Sequence, residues 1–99
     1  MSKNKINPVG SSWDEFEKEY FSEQEIIESD LRVALVSEII EARHELELTQ
    51  KELEALSGVK QPIIARLEKG TTDPQIGTVL KVLYALGKTL KVVPIEKNN

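Results

Sequence analysis

Between Thr49 and Gly70 the sequence is punctuated so closely that few local structures remain open to it. Thr49-x-x-Glu52 is a capping box: the threonine hydroxyl satisfies an orphan backbone N–H while the glutamate reaches back to the cap residue. The helix that starts at Gln50 stops after Leu56, because Ser57-Gly58 follows and glycine suits the left-handed residue that closes a helix. After Val59-Lys60, the stretch Gln61 to Lys69 reads as a second short helix. Pro62 falls in its first turn, where a missing N–H costs nothing, and Gly70 ends it. Two such helices joined by a tight glycine-containing turn make a helix-turn-helix.

The flanks are predominantly helical. Residues 1–11 mix Lys, Asn, Pro, Gly and Ser and read as a flexible arm. Ser12-x-x-Glu15 is a capping box that opens an acidic helix over 12–22. That helix carries Trp13, Phe16, Tyr20 and Phe21, four of the five aromatic residues, at spacings that gather them on one face with Glu17. It is marginal alone and must bury that face. Ser22-x-x-Glu25 predicts a fresh start, with a helix reaching about His44. Ile27, Leu31, Leu35, Ile39, Ala42 and Leu46 form one apolar stripe on it; Ile26, Val33, Val36 and Ile40 form another beside it. A surface helix needs only one stripe, so two imply cover from two sides. Beyond the loop Thr71–Gln75, which holds Pro74, a fifth helix is predicted over Ile76–Leu86, burying Val79, Leu80, Leu83 and Leu86, with Gly87 as its stop. The tail Leu90-Lys91-Val92-Val93-Pro94-Ile95 is extended and β-branched, and Pro94 confines it to a sheet edge or strand end. The organisation expected is an arm (1–11), an acidic aromatic helix (12–22), a helix-turn-helix domain (23–87, its central unit 49–69) and a C-terminal strand and tail (88–99).

Charge divides the chain. Its 99 residues carry a net charge of −4, which argues against a non-specific nucleic-acid coat. Residues 1–30, however, hold three lysines and eight acids, whereas residues 60–91 hold six bases (Lys60, Arg66, Lys69, Lys81, Lys88, Lys91) against Glu68 and Asp73. An acidic front and a basic rear imply two different partners; the plainer alternative for the front is a solubilising arm. The absence of cysteine excludes a disulfide scaffold and a thiolate metal site. Apolar runs such as Val33-Ala34-Leu35-Val36 are far too short to span a bilayer, and no apolar signal core follows Lys3 and Lys5. A cytoplasmic location is expected.

The series Thr49-Gln50-Lys51-Glu52-Leu53, Ser57-Gly58-Val59, Gln61-x-x-Ile64-x-Arg66-Leu67-Glu68-Lys69-Gly70 and Pro74 resembles the phage-repressor-like (XRE) helix-turn-helix family over roughly residues 33–87. The fold class expected is mainly α: a five-helix phage-repressor-like domain with an extra N-terminal helix and a short C-terminal β-strand. Ile64 and Leu67 face inward, which leaves Gln61, Pro62, Ala65 and Arg66 on the outer face of the second helix. Arginine forks onto guanine and glutamine onto adenine in the major groove, and Gln50 can offer its amide to a phosphate. The resemblance implies that Gln61, Pro62 and Arg66 read bases, and that Arg43 and Glu68 tie the first helix to the recognition helix. The expected DNA-binding set is Thr49, Gln50, Lys60, Gln61, Pro62, Ala65, Arg66, Lys69 and Thr71. Glu54 departs from the family's small residue and is expected to tilt to solvent or pair with a neighbouring base. Pro62 replaces a polar residue and offers an apolar surface to a thymine methyl.

Nothing points to catalysis. His44-Glu45 begins like a zinc-protease motif, but Leu48 stands where the second histidine belongs. There is no glycine-rich phosphate loop, and no serine or threonine sits in a nucleophile pattern. No catalytic residue, metal or cofactor is expected. The whole chain further resembles HigA-like antitoxins of type II toxin–antitoxin modules, with their aromatic acidic helix, helix-turn-helix and terminal strand. That resemblance implies palindromic operator DNA, a basic ribonuclease toxin of the HigB/RelE kind, and a homodimer that becomes a heterotetramer with toxin. The toxin-binding residues expected are Trp13, Glu15, Phe16, Glu17, Glu19, Tyr20 and Phe21. The dimer residues expected are Val82, Leu86, Leu90, Val92 and Val93. A stand-alone dimeric repressor is the alternative.

Overall fold

The computed structural model describes residues 9–96, with side chains from Ser22 onward and those of Glu15, Glu17 and Glu19. Four helices follow one another: α1 (Val9–Glu45), α2 (Gln50–Ser57), α3 (Gln61–Lys69) and α4 (Ile76–Ala85). The count corrects the five-helix expectation. The two helices predicted from Ser12 and Ser22 are one, because neither glycine nor proline occurs between Ser11 and His44. Serine inside a helix costs only a few tenths of a kcal/mol, about 0.5, too little to break it. Val9, Gly10 and Ser11, assigned to the arm by sequence, are helical; the rest of the arm, residues 1–8, and the end of the tail, 97–99, lie outside the described residues.

The chain divides into two units, Met1–Ala34 and Leu35–Asn99. In the first, the described side chains of α1 are exposed, among them Ile26, Ile27, Leu31 and Val33, or half-buried at Arg32. The second holds the core: Ile39 and Ala42 of α1, Leu53, Val59, Ile64, Leu67, and Val79, Val82, Leu83 and Leu86. Leu35, Leu48, Ile63, Ala85 and Leu90 pack on its edge. Of the predicted α1 stripes, only the part from Leu35 onward is used here, while Leu46 is exposed. On α4 the inward positions are Val79, Val82 and Leu83, continued by Leu86 at its C-cap, at spacings of one to four residues that share a helix face. Leu80, expected in the core, falls with Ile76 and Tyr84 on an outward stripe, and Tyr84 is 84% exposed.

Helix α1 ends without glycine. Leu48 N–H donates to Arg43 O (3.0 Å) and Glu47 N–H to His44 O (2.9 Å), the paired bonds of a Schellman motif. Its left-handed position is filled by Glu47 at φ 55°, the one non-glycine residue with positive φ among those described. Leu48 then turns onto the core.

The expected C-terminal strand is absent among the described residues. An extended segment needs a neighbour for its N–H and C=O groups, and no second extended segment lies alongside. Leu90 anchors the segment against the core and Lys88 pairs with Glu38 at 3.2 Å, while Val92, Val93 and Ile95 stay exposed.

Candidate nucleic-acid interface

Helix α2 is capped as its sequence predicts. Thr49 Oγ1 accepts from Glu52 N–H (3.0 Å), and Glu52 Oε1 accepts from Thr49 N–H (2.8 Å). Gly58, left-handed at φ 78°, closes it by donating to Glu54 O at 2.8 Å. Ser57 Oγ accepts from Val59 N–H and turns the chain toward α3.

Helix α3 is held from below by Ile64 and Leu67, both buried. Its outward side presents Pro62, Arg66 and Lys69 exposed, with Gln61 and Ala65 half-buried. Thr49, Lys60 and Thr71 are exposed around it, and Gln50 is half-buried. The side chains expected to meet DNA thus come from one short stretch and from the rim of one helix.

Four of the polar groups form a connected network. Arg43 clasps Glu68 with two bonds, Nε to Oε2 at 2.7 Å and Nη2 to Oε1 at 2.9 Å, and spends Nη1 on Leu48 O at 2.9 Å. Gln50 Nε2 donates to Glu68 Oε1 at 3.0 Å, and Gln61 Nε2 donates to Gln50 Oε1 at 2.7 Å. The network runs from the last turn of α1 to the first residue of α3. It gives the Arg43–Glu68 pair expected from the sequence, and it couples Gln50 to Gln61, which the sequence reading treated separately. Gln61 keeps its carbonyl oxygen and one amide proton, the acceptor and donor that a bidentate contact to adenine uses.

Burial pushes the Glu68 carboxyl up, but the hydrogen bonds from Arg43 and Gln50, then the charges of Arg43 and His44, outweigh it and hold it below its ordinary value. The hydrogen bond to Glu68 raises Arg43 in turn, against the burial that lowers it. The buried-edge pair is therefore fully ionised at neutral pH.

Glu54 does more than pair with a base. Lys60, at the cap position of α3, makes no side-chain cap bond. Glu54 Oε1 accepts from Gln61 N–H at 3.1 Å and so caps α3 from the preceding helix. The same carboxylate lies 3.4 Å from Lys51 Nζ and 3.8 Å from Lys60 Nζ. The Gln61 N–H bond is the main reason that its carboxyl is held below the ordinary value. The signal for this cap was legible: a non-capping lysine opens α3, and a carboxylate stands in the last turn of the helix before it.

The other expected residues divide. Val82 is fully buried and Leu86 nearly so; they belong to this chain's own core, which corrects their assignment to a dimer surface. Leu90 is half-buried, whereas Val92 and Val93 are exposed. Of the expected toxin-binding set, Glu15, Glu17 and Glu19 are exposed on α1. The side chains of Trp13, Phe16, Tyr20 and Phe21 lie outside the described residues. No helix among the described residues is long and apolar enough to cross a membrane.

A capped α2, a glycine turn, and an α3 that lies on a buried Ile–Leu pair with polar groups outward define a helix-turn-helix of the DNA-binding kind. Residues 39–93 match the helix-turn-helix family. A helix-turn-helix-type transcriptional regulator of Haemophilus influenzae is 59% identical over 96 residues, spanning 97% of this chain and 98% of that one. Another, from Sinorhizobium fredii, is 38% identical over 58 residues, 59% of this chain and 75% of its own. Among solved structures, a chain described as a toxin–antitoxin module from Streptococcus pneumoniae superposes with a TM-score of 0.69 at 54% identity, covering 96% of this chain and 97% of that one. The chain belongs to the XRE-type helix-turn-helix family of transcriptional regulators.

Proposed function

We propose that this protein is the antitoxin of a type II toxin–antitoxin pair: it neutralises a basic ribonuclease toxin by binding it, and as a dimer it represses its own operon at a palindromic operator. One observation carries the reading, the end-to-end likeness at 54% identity to a chain from a toxin–antitoxin module. That likeness extends beyond the helix-turn-helix, which any repressor of the family would share. The α1 segment before Leu35 supports it, with acids at Glu15, Glu17, Glu19, Glu23, Glu25 and Glu28 and with Ile26, Ile27, Leu31 and Val33 exposed. Acids steer a basic partner and speed encounter, while apolar anchors hold it. A stand-alone repressor, the second reading, is favoured by the full-length likeness to a transcriptional regulator.

On the DNA side, two copies engage half-sites about one helical turn, roughly 34 Å, apart. Arg66 and Gln61 read bases, Pro62 and Ala65 lend apolar surface, and Thr49, Gln50, Lys60, Lys69 and Thr71 attend the phosphates. The dimer draws on exposed surface, Val92 and Val93 of the tail beside Leu80 and Tyr84 of α4. Removing residues 89–99 is expected to weaken dimerisation in sedimentation; an unchanged dimer moves the contact to the α4 stripe.

The test of the function is removal of residues 1–22, read by pull-down of any basic ribonuclease-like protein found encoded beside this gene and by gel shift on the upstream DNA. The expected result is lost toxin binding with DNA binding retained. Toxin binding that survives moves the site to Ile26, Ile27, Leu31 and Val33. A full-length chain that shifts DNA and captures no toxin leaves the stand-alone repressor.

A further inference from the structure

Glu54 is an unusual residue to find on a face offered to DNA. Its carboxylate caps α3 through Gln61 N–H and lies within ion-pair distance of Lys51 and Lys60, whose side chains are 79% and 77% exposed. It thus sits where three groups suited to a phosphate converge: two cations and the amino end of a nine-residue helix. Carboxylate and phosphate compete for the same donors, and the carboxylate is always present at an effectively high local concentration. We propose that Glu54 acts as an internal rival to the DNA backbone, lowering the sequence-independent part of binding so that unmatched DNA is held weakly. The proposal rests on the DNA-binding reading and adds to it.

The physical argument is one of partition. Non-specific affinity comes almost wholly from lysines and arginines that displace counterions from phosphates. A lysine already paired must leave its carboxylate to do so, and the gain shrinks by the value of that pair. Base readout by Arg66 and Gln61 is untouched, since neither side chain contacts Glu54; only the Gln61 backbone does. Glu54 therefore subtracts a similar amount from binding to every sequence: the ratio between sequences stays, while the absolute affinity for unmatched DNA falls. The bond to Gln61 N–H fixes the carboxylate in place, so the rival is preorganised and loses little entropy.

The experiment uses the full chain and its Glu54→Gln variant, which keeps an amide oxygen to accept from Gln61 N–H while removing the charge. Fluorescence anisotropy is measured on a duplex from the region immediately upstream of the coding sequence and on a scrambled duplex of the same composition, across a salt series. The expected result is a gain of roughly threefold to tenfold on the scrambled duplex at low salt. The slope of log K against log salt should steepen by about one to two, as one or two lysines are released to phosphates. Adding Lys51→Ala and Lys60→Ala to the variant should return the slope to its starting value. A purely structural cap predicts the reverse: weaker binding to both duplexes with an unchanged slope, and that result overturns the inference while leaving the DNA-binding reading intact. If the wild-type chain binds neither duplex, the DNA-binding reading fails and takes this inference with it.

Discussion

Replacing Glu68 with glutamine removes the charge at the centre of the Arg43–Glu68–Gln50–Gln61 network and changes almost nothing in shape. Arg43 and Glu68 are 12% and 9% exposed, and they meet through two bonds of 2.7 and 2.9 Å. Taking one partner from such a buried pair costs about 3–5 kcal/mol, because the other charge stays behind uncompensated. Glutamine returns one acceptor to the guanidinium, worth about 1 kcal/mol, and turns an N–H against it. The net expectation is a loss of about 2–4 kcal/mol. For a domain of this size each kcal/mol moves Tm by about 4–8 °C, so Tm should fall by at least about 8 °C. Denaturant titrations of Glu68→Gln, Arg43→Met and the double variant form a cycle. With the charge gone from both positions, the double variant should be no less stable than the worse single one, giving a coupling of about 1.5–3 kcal/mol. Singles that add to within about 0.5 kcal/mol would refute the reasoning. Gln50 loses its anchor in the same variant, so a gel shift taken well below Tm should also show weaker DNA binding.

Glu47→Gly should stabilise the fold by about 0.5–1 kcal/mol, since glutamate sits left-handed at φ 55° in the Schellman turn that ends α1; an unchanged denaturation midpoint counts against a strained turn. Gly58→Ala and Gly70→Ala both impose a left-handed alanine costing about 1 kcal/mol. Gly70→Ala should cost more, because its new Cβ would meet Val36 Cγ2 at 3.3 Å, whereas nothing lies within 4 Å at Gly58; Val36→Ala should narrow the gap. Glu68 titrates below its ordinary value of 4.5 in the folded chain, so the stability it lends is whole above that value and is lost as pH falls through the lowered one. Thermal melts taken from about pH 7 down to about pH 2 should therefore fall more steeply for the wild type than for Arg43→Met, in which that shift is relieved.

The helix-turn-helix was legible because its signals are local. Thr49, Glu52, Gly58, Pro62 and Gly70 each act within four residues of themselves, and their boundaries hold to within a residue in α2 and α3. The α1 boundary was misread for the same reason. A capping box marks where a helix could begin, yet only a breaker decides that the previous one ends, and none exists between Ser11 and His44. Leu80 and Val82 were exchanged because α4 is apolar on more than one side, so periodicity alone could not choose which stripe faces the core. The stop of α1 was hidden because glutamate occupies a position usually announced by glycine. At the candidate interface, the outward placement of Pro62 and Arg66 was legible and the couplings between side chains were not. Arg43–Glu68 came with the family resemblance, whereas the Gln61–Gln50 bond and the Glu54 cap join residues 11 and 7 positions apart, and only the turn between the helices brings them within reach.

An acidic chain that binds DNA cannot rely on bulk attraction, since its net charge of −4 repels a polyanion. Its affinity must come from a local surface, and here that surface is itself partly neutralised. Glu68 occupies Arg43, and Glu54 stands against Lys51 and Lys60. What remains outward on α3 is Arg66 and Lys69 beside the Gln61 amide. On the inference drawn at Glu54, such a surface should hold non-specific DNA weakly, so that little of the protein is sequestered by the rest of the genome. On the antitoxin reading this balance has a consequence for regulation. Protein not bound at its operator stays available to meet toxin through the acidic segment. The operator in turn responds to the small change in free dimer that toxin binding brings about, rather than being buffered by a reservoir on bulk DNA. Shifting that balance at Glu54 should therefore raise operator occupancy at low salt while blunting its response to added toxin, two effects that a loss of fold would lower together.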